Sequence, residues 1–365
     1  MSCFALLHRS EVQWLTRAPP GQTSGMHKAR IVMASQRGLL TRSQALDAGL
    51  SPTTIRHLIR SGVLVIVRRG VYADGELWRS LDPYREQHQL RTRAALLTMR
   101  RTWVTSHDSA AHEHELDLLQ PPEPYVHITR PGWPKAWTEY GVKHHLASFA
   151  DSQVHEVNGL RVLDLARTAV DIAREHGSPY GEVACDSAMR LGVSRAALEA
   201  ACEPMRNWPY VTRTRAAVAF ARPGAGSVAE TLGRILVEEL AIEAHLEIQF
   251  PVRRPDGSVA WLDIVLGCHG FEVDGKGKYI PVTDGGLATE PPFEVMWAEK
   301  RRERDVHRLG LGTSRIFWED FWVPRRYEAL RRLRSDYEET AARFGTRLPE
   351  RLVREAREIR GRAGA

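Results

Sequence analysis

Residues 41–73 read T-R-S-Q-A-L-D-A-G-L-S-P-T-T-I-R-H-L-I-R-S-G-V-L-V-I-V-R-R-G-V-Y-A, and their punctuation decides the fold of the N-terminal part. Thr41 is placed to cap a helix, with Gln44 three residues on as the other half of a capping box. That helix runs T-R-S-Q-A-L-D-A and stops at Gly49. Ser51 caps the next helix, and Pro52 sits at its first position, where a missing N–H costs nothing. This helix runs to Ser61, and Gly62 closes it. Ile55, Leu58 and Ile59 fall on one face at helical spacing, and Thr53, Thr54, Arg56, His57 and Arg60 fall outside it. Two β-rich runs around Arg68-Arg69-Gly70 then read as a hairpin. Upstream, His27 to Gln36 forms an opening helix that Gly38 ends. Helix, helix, tight turn, helix, hairpin is the order of a winged helix-turn-helix.

In that arrangement the third helix lies in the major groove of double-stranded DNA. Thr53, Thr54, Arg56, His57 and Arg60 are then the DNA-facing residues. Arg56 and Arg60, four apart, point the same way. Arg68 and Arg69 sit at the wing tip, within reach of phosphates or the minor groove. Charge agrees with pattern. Residues 27–75 hold eight Lys/Arg and two acids, an excess equal to the whole chain's net +6. A small basic module on a neutral body is the footprint of a nucleic-acid contact.

The whole chain has 365 residues, enough for two or three domains. Its longest apolar run is six residues, Ala216 to Ala221, whereas a membrane span needs about 20. That excludes a spanning segment, and a secretory signal is not expected, since the apolar stretch after Met1 is only Cys3 to Leu7. The four cysteines are far apart without C-x-x-C, which excludes a cysteine zinc site and fits the cytoplasm.

Five segments follow. Residues 1–26 are an unstructured extension, or sequence upstream of a true start at Met26. Residues 27–75 are the winged helix-turn-helix. Residues 76–222 form a mixed α/β middle, 223–323 an α/β core, and 324–365 a C-terminal basic helical segment. The fold class is α+β and multidomain. In the middle, Pro83 to Met99 and L-D-L-A-R-T-A-V-D-I-A-R read as helices, and Y-V-H-I-T and G-V-K-H-H as short strands. Arg167, Asp171 and Arg174 are expected on the outer face of the second of these helices. His112 with His114, and His144 with His145, suggest a metal site. Residues two apart on a helix diverge, as do neighbours on a strand, so these histidines are expected to be structural or on the surface. From Pro324 on, twelve Arg and seven acids at helical spacing suggest a solvated or partner-facing helix.

The chemistry is concentrated after the Gly224–Gly226 joint. Ser227 caps S-V-A-E-T-L-G-R-I-L-V-E-E-L, and the strands L-E-I-Q-F-P-V, S-V-A-W-L-D-I-V-L and F-E-V-D-G-K-G-K-Y follow. A charged helix around A-E-K-R-R-E-R and a last strand T-S-R-I-F-W complete the block. Asp263 interrupts an apolar strand. Glu272 and Asp274 share one face of the next, with Lys276 and Lys278 in step. If these strands pair, Asp263 and Glu272 converge. Close carboxylates need a cation, and Mg²⁺ is the natural one for oxygen ligands. Asp263 and Glu272 are then the metal ligands, and a lysine would stabilise a phosphodiester under attack. Glu230 can complete the set, although Ser227-x-x-Glu230 also reads as a capping box.

S-P-T-T-I-R-H-L-I-R-S-G-V-L and R-R-G-V-Y-A resemble the N-terminal winged helix of AbiEi-type antitoxins of type IV toxin–antitoxin systems. V-T-S-H-D-S-A-A and L-D-L-A-R-T-A-V-D-I-A-R resemble the region that follows it. Ser227 to Glu230, Leu262-Asp263, Glu272-Val273-Asp274-Gly275 and Glu299-Lys300-Arg301-Arg302-Glu303 resemble the very-short-patch-repair-like domain of the PD-(D/E)XK nuclease superfamily, which has a restriction-endonuclease-like core. The first resemblance implies a transcriptional regulator that binds operator DNA, with a nucleotidyltransferase-type toxin as partner. The second implies Asp263, Glu272, Asp274, Lys276 and Glu230 as catalytic residues. Asp274 stands where the superfamily has Lys, and Lys276 is the substitute on the same face. The regulator is the leading expectation. The alternative is a Mg²⁺-dependent DNA endonuclease targeted by the winged helix.

Overall fold

The computed structural model describes residues 23–99, 101, 103–274 and 292–363. It is an α+β protein whose described residues form three sheets. Two units can be separated. One runs to His176 and takes in Ala196–Arg215; the other comprises Gly177–Arg195 and everything from Ala216 on. Residues 177–195 thus leave the middle region with which composition groups them.

The first unit opens with α1 (Thr23–Ser35), β1 (Leu39–Thr41), α2 (Arg42–Asp47), α3 (Pro52–Arg60), β2 (Leu64–Arg68) and β3 (Val71–Asp74). Helix α1 starts before His27, and Met26 is buried in the core. Residues 23–26 are therefore helical rather than part of an extension; 1–22 lie outside the described residues. Both expected caps are present. Gln44 N–H donates to Thr41 Oγ1 (3.2 Å) and Thr41 N–H to Gln44 Oε1 (3.0 Å), and Thr54 N–H donates to Ser51 Oγ (3.1 Å). Strand β1 has no signature in the sequence, because Leu39 and Leu40 are too few to show a period. Tertiary pairing makes it a strand: Leu39 pairs with Ala73 and Leu40 with Tyr72, giving the sheet order β1-β3-β2. Gly70 takes φ +77° in the β2–β3 turn, which suits glycine. Ile55 and Leu58 join Met26, Met33, Leu40 and Tyr72 in the core, each contributing about 1.5–3 kcal/mol by burial.

Helices α4 (Gly75–Ser80) and α5 (Glu86–Leu97) lead to a six-stranded mixed sheet. Its strands are β4 (Val104–Thr105), β5 (Val126–Arg130), β6 (Lys135–Glu139), β7 (Val142–Leu146), β8 (Val154–Val157) and β9 (Leu160–Leu163), in the order β6-β7-β5-β4-β9-β8. Helices α6 (His107–Glu113) and α7 (Leu165–His176) complete this part. One expectation fails on α7. Arg167 and Asp171 are fully buried, not outward. They are tolerated because each answers the other: Arg167 Nε donates to Asp171 Oδ2 (2.8 Å), and its guanidinium also reaches Ser148 O (2.9 Å) and Trp208.

Helix α8 (Tyr180–Arg190) belongs to the second unit, α9 (Arg195–Cys202) lies in the first apart from Arg195, and α10 (Val211–Phe220) spans the boundary at Arg215; the second unit then continues with α11 (Val228–Glu238), β10 (Leu246–Arg253), β11 (Val259–Leu266), β12 (His269–Asp274), α12 (Pro292–Arg308), β13 (Gly312–Phe317), α13 (Arg325–Phe344) and α14 (Glu350–Ala363). Its sheet order is β10-β11-β12-β13, antiparallel except for the β12–β13 pair. Helix α11 crosses close at Gly233, where a Cβ would stand 2.6 Å from Val273 Cγ2. A second cluster holds Phe250, Val252, Leu262, Val265, Val306 and Leu311. Leu352 and Ala356 of α14 belong to it. The arginine-rich C-terminal stretch is therefore a core-covering element, its apolar stripe inside and its arginines outside, and not a separately solvated helix. No helix among the described residues is long and apolar enough to cross a membrane.

Candidate functional site

Helix α3 presents its basic face as its sequence implies, with one exception. Thr53, Arg56, His57 and Arg60 are exposed. Thr54 is buried, its hydroxyl 2.8 Å from Ser51 Oγ and its N–H bound to the same oxygen. The helical wheel places Thr54 outside, but the cap draws it in. Arg56 leans back on Thr53, 3.4 Å from its Oγ1. At the hairpin, Arg69 is exposed and Arg68 half-buried, with burial lowering the Arg68 pKa from its ordinary value. Only Arg69 is fully presented at the tip.

In the second unit β11 and β12 do pair, with Ile264 opposite Phe271. Asp263 sits at an irregularity. Leu262 and Val265 share one cluster, whereas Ile264 faces α11 near Gly233. The register of β10 skips Gln249 opposite, which has φ +49°. The pairing keeps its register on both sides, so Gln249 stands opposite Asp263 while its left-handed backbone leaves the ladder. Gln249 Nε2 bridges Glu230 Oε2 (2.8 Å) and Asp263 Oδ1 (3.3 Å), and Val273 N–H donates to Asp263 Oδ2 (2.8 Å). Ser227 caps α11 as expected, accepting from Glu230 N–H (3.2 Å), but the Glu230 carboxylate accepts from Gly226 N–H (2.7 Å) and Ser227 Oγ (3.1 Å) rather than closing the box on Ser227 N–H.

Glu272 and Asp274 are engaged by arginines. Both Glu272 oxygens accept from Arg302 of α12 (2.9 and 3.1 Å), and Asp274 pairs with Arg315 of β13 at 3.5 Å. Together with Glu303 and Ser314 these four line a cleft that Glu230, Gln249 and Asp263 do not reach. Lys276 and Lys278 lie outside the described residues. Among the described residues Asp263, Glu272 and Glu230 do not bring three ligand atoms together, and arginine or N–H donors already answer their charge.

A different group converges inside the first unit. His107, His127 and His145, and again Asp108, His127 and His176, bring their polar atoms within 4.8 Å. The two sequence pairs do diverge. His144 stacks on Trp137 (4.9 Å between ring centres), while His145 stacks on His107 at 3.9 Å. What pairwise reading misses is the partner from another strand. His145 lies opposite Thr129 in the parallel β5–β7 register, on the face that His127 shares. Burial lowers the pKa of His107, His127 and His145 below the ordinary imidazole value. Burial works to raise Asp108, yet His127 and the hydrogen bond from His176 hold it well below the ordinary carboxylate value.

A capped helix with a basic outer face, backed by a small sheet, forms the N-terminal part of the first unit. Residues 29–73 match the family described as transcriptional regulator, AbiEi antitoxin. An AbiEi antitoxin-like transcriptional regulator domain thus occupies the N-terminus. No curated protein matches the chain.

Proposed function

We propose that the chain is a cytoplasmic, DNA-binding transcriptional regulator of antitoxin type, whose residues 27–75 form a winged helix-turn-helix with α3 in the major groove. The observation that carries it is the exposed row Thr53, Arg56, His57 and Arg60 on a helix whose other face is locked into the core by Ile55 and Leu58. Double-stranded DNA is the partner this face fits. A nucleotidyltransferase-type toxin as second partner rests on the family resemblance, and the second unit serves as a nuclease-like scaffold. Arg69→Ala should lower the salt dependence of DNA binding by about 0.9 in log–log slope if Arg69 meets a phosphate. Arg68→Ala should change it less, since its head is half-buried. Affinities of the full chain across a salt series measure both, and an unchanged slope in Arg69→Ala removes the hairpin tip from the interface.

A second reading, a Mg²⁺-dependent endonuclease using Asp263, Glu272, Asp274, Lys276 and Glu230, has one observation in its favour. The left-handed Gln249 is a costly backbone state placed where it joins Glu230 to Asp263, and such strain gathers at functional sites. Supercoiled plasmid incubated with the protein and Mg²⁺, Mn²⁺ or EDTA separates the readings. The regulator leaves it intact in every lane. Metal-dependent nicking that disappears in Asp263→Asn, which keeps an acceptor for Val273 N–H, would make the protein a nuclease.

A further inference from the structure

Three segments that DNA binding leaves unused meet inside the first unit. Asp108 is the second residue of α6, His127 lies on β5, and His176 ends α7. Asp108 Oδ2 stands 2.8 Å from His176 Nε2 and 3.1 Å from His127 Nε2. Asp108 and His127 are buried. The His127 approach is to Oδ2 and lacks hydrogen-bond geometry, and both His127 Nε2 and Asp108 Oδ1 are buried without a hydrogen-bond partner. A protein interior rarely leaves such atoms unanswered. A cation held by the Asp108 carboxylate and His127 Nε2 would satisfy both.

The surroundings suit that cation. His127 Nδ1 is 3.0 Å from His145 Nε2, and His145 is stacked on His107. Metal-binding imidazoles are held in this way: a bond at one ring nitrogen fixes the ring and turns the other nitrogen's lone pair to the ion. Two imidazoles and a carboxylate are ligands for first-row divalent metals; Mg²⁺ and Ca²⁺ want oxygen alone. The His176 side chain, 15% exposed, leaves a route from solvent. The set His107, His127 and His145 is the weaker candidate, because all three are buried and it brings no carboxylate to balance the ion's charge.

We infer that Asp108, His127 and His176 form a site for a divalent transition metal of the zinc or ferrous class. Three protein ligands leave a coordination position for water or a small ligand. The ion would join α6, β5 and α7 at one point.

Tag-free full-length protein, stripped with EDTA, is titrated with Co²⁺ and then Zn²⁺. One equivalent of Co²⁺ should give a visible d–d spectrum that one equivalent of Zn²⁺ abolishes, and Zn²⁺ should raise the melting temperature. His176→Gln, at the partly exposed rim, and Asp108→Asn should weaken Co²⁺ binding by more than the roughly 10–100-fold expected for the supporting His145→Gln. His114→Gln, whose ring bonds Leu163 O, should bind as wild type. Two results would overturn the site. One is folded wild type showing neither spectrum nor Zn²⁺-dependent stabilisation. The other is folded His176→Gln and Asp108→Asn that bind metal with wild-type affinity.

Discussion

Replacing Arg56 and Arg60 together by alanine is expected to weaken specific DNA binding by about 2–6 kcal/mol, because a bidentate hydrogen-bonded pair between an arginine and a base contributes about 1–3 kcal/mol. In affinity that is roughly 30-fold to more than 10⁴-fold. Both side chains are exposed, and surface substitutions usually change stability by no more than about 0.5 kcal/mol. The cap at Ser51 and the apolar face of α3 stay intact, so the helix remains presented. Titration against a DNA site selected with the wild-type chain measures the loss, with circular dichroism confirming the fold. Wild-type affinity in the double variant would show that α3 does not read DNA.

The largest stability effect is expected at Asp186→Ala, in the second unit. Asp186 and Arg234 are both buried and 3.0 Å apart, linking α8 to α11. Asp186 also accepts from Arg222 N–H (2.7 Å) and Thr231 Oγ1 (3.0 Å). Truncating it leaves a guanidinium buried, a loss of about 3–5 kcal/mol. Glu238 also bonds Arg234, but its side chain is 28% exposed, and Glu238→Ala should cost only about 1 kcal/mol or less. Denaturant titration followed by two probes, one per unit, checks both, since two units need not unfold together. Equal midpoints for the two variants would show that water reaches Arg234.

These two cases mark what the sequence can express. Thr41 and Ser51 cap helices through residues three positions away, so the helical order of the first 50 or so described residues is legible in local spacing. The exposed arginines of α3 follow from the same period. Thr54 does not, because a hydroxyl recruited by the neighbouring cap turns inward against the wheel. Asp186 and Arg234 are 48 residues apart, and no local rule joins them. The same holds for Asp108, His127 and His176, which come from two helices and a strand. Asp263 is visible as a charge in an apolar strand, but its partner Gln249 stands opposite it only once β10 and β11 pair. Glu272 and Asp274 share a face as their spacing requires; that arginines from α12 and β13 would answer them is a tertiary fact.

Helix α14 has a consequence for how the chain emerges from the ribosome. Phe250 and Val252 are made early, but Leu352 and Ala356, which cover them, follow roughly 100 residues later. At about 5–20 residues per second, that face of the nascent sheet stays uncovered for about 5–20 s. Throughout that interval it is a target for holdase chaperones and for sticking to neighbouring nascent chains on the same message. The N-terminal head carries its own cluster of residues 26–72 and can close before any of that begins.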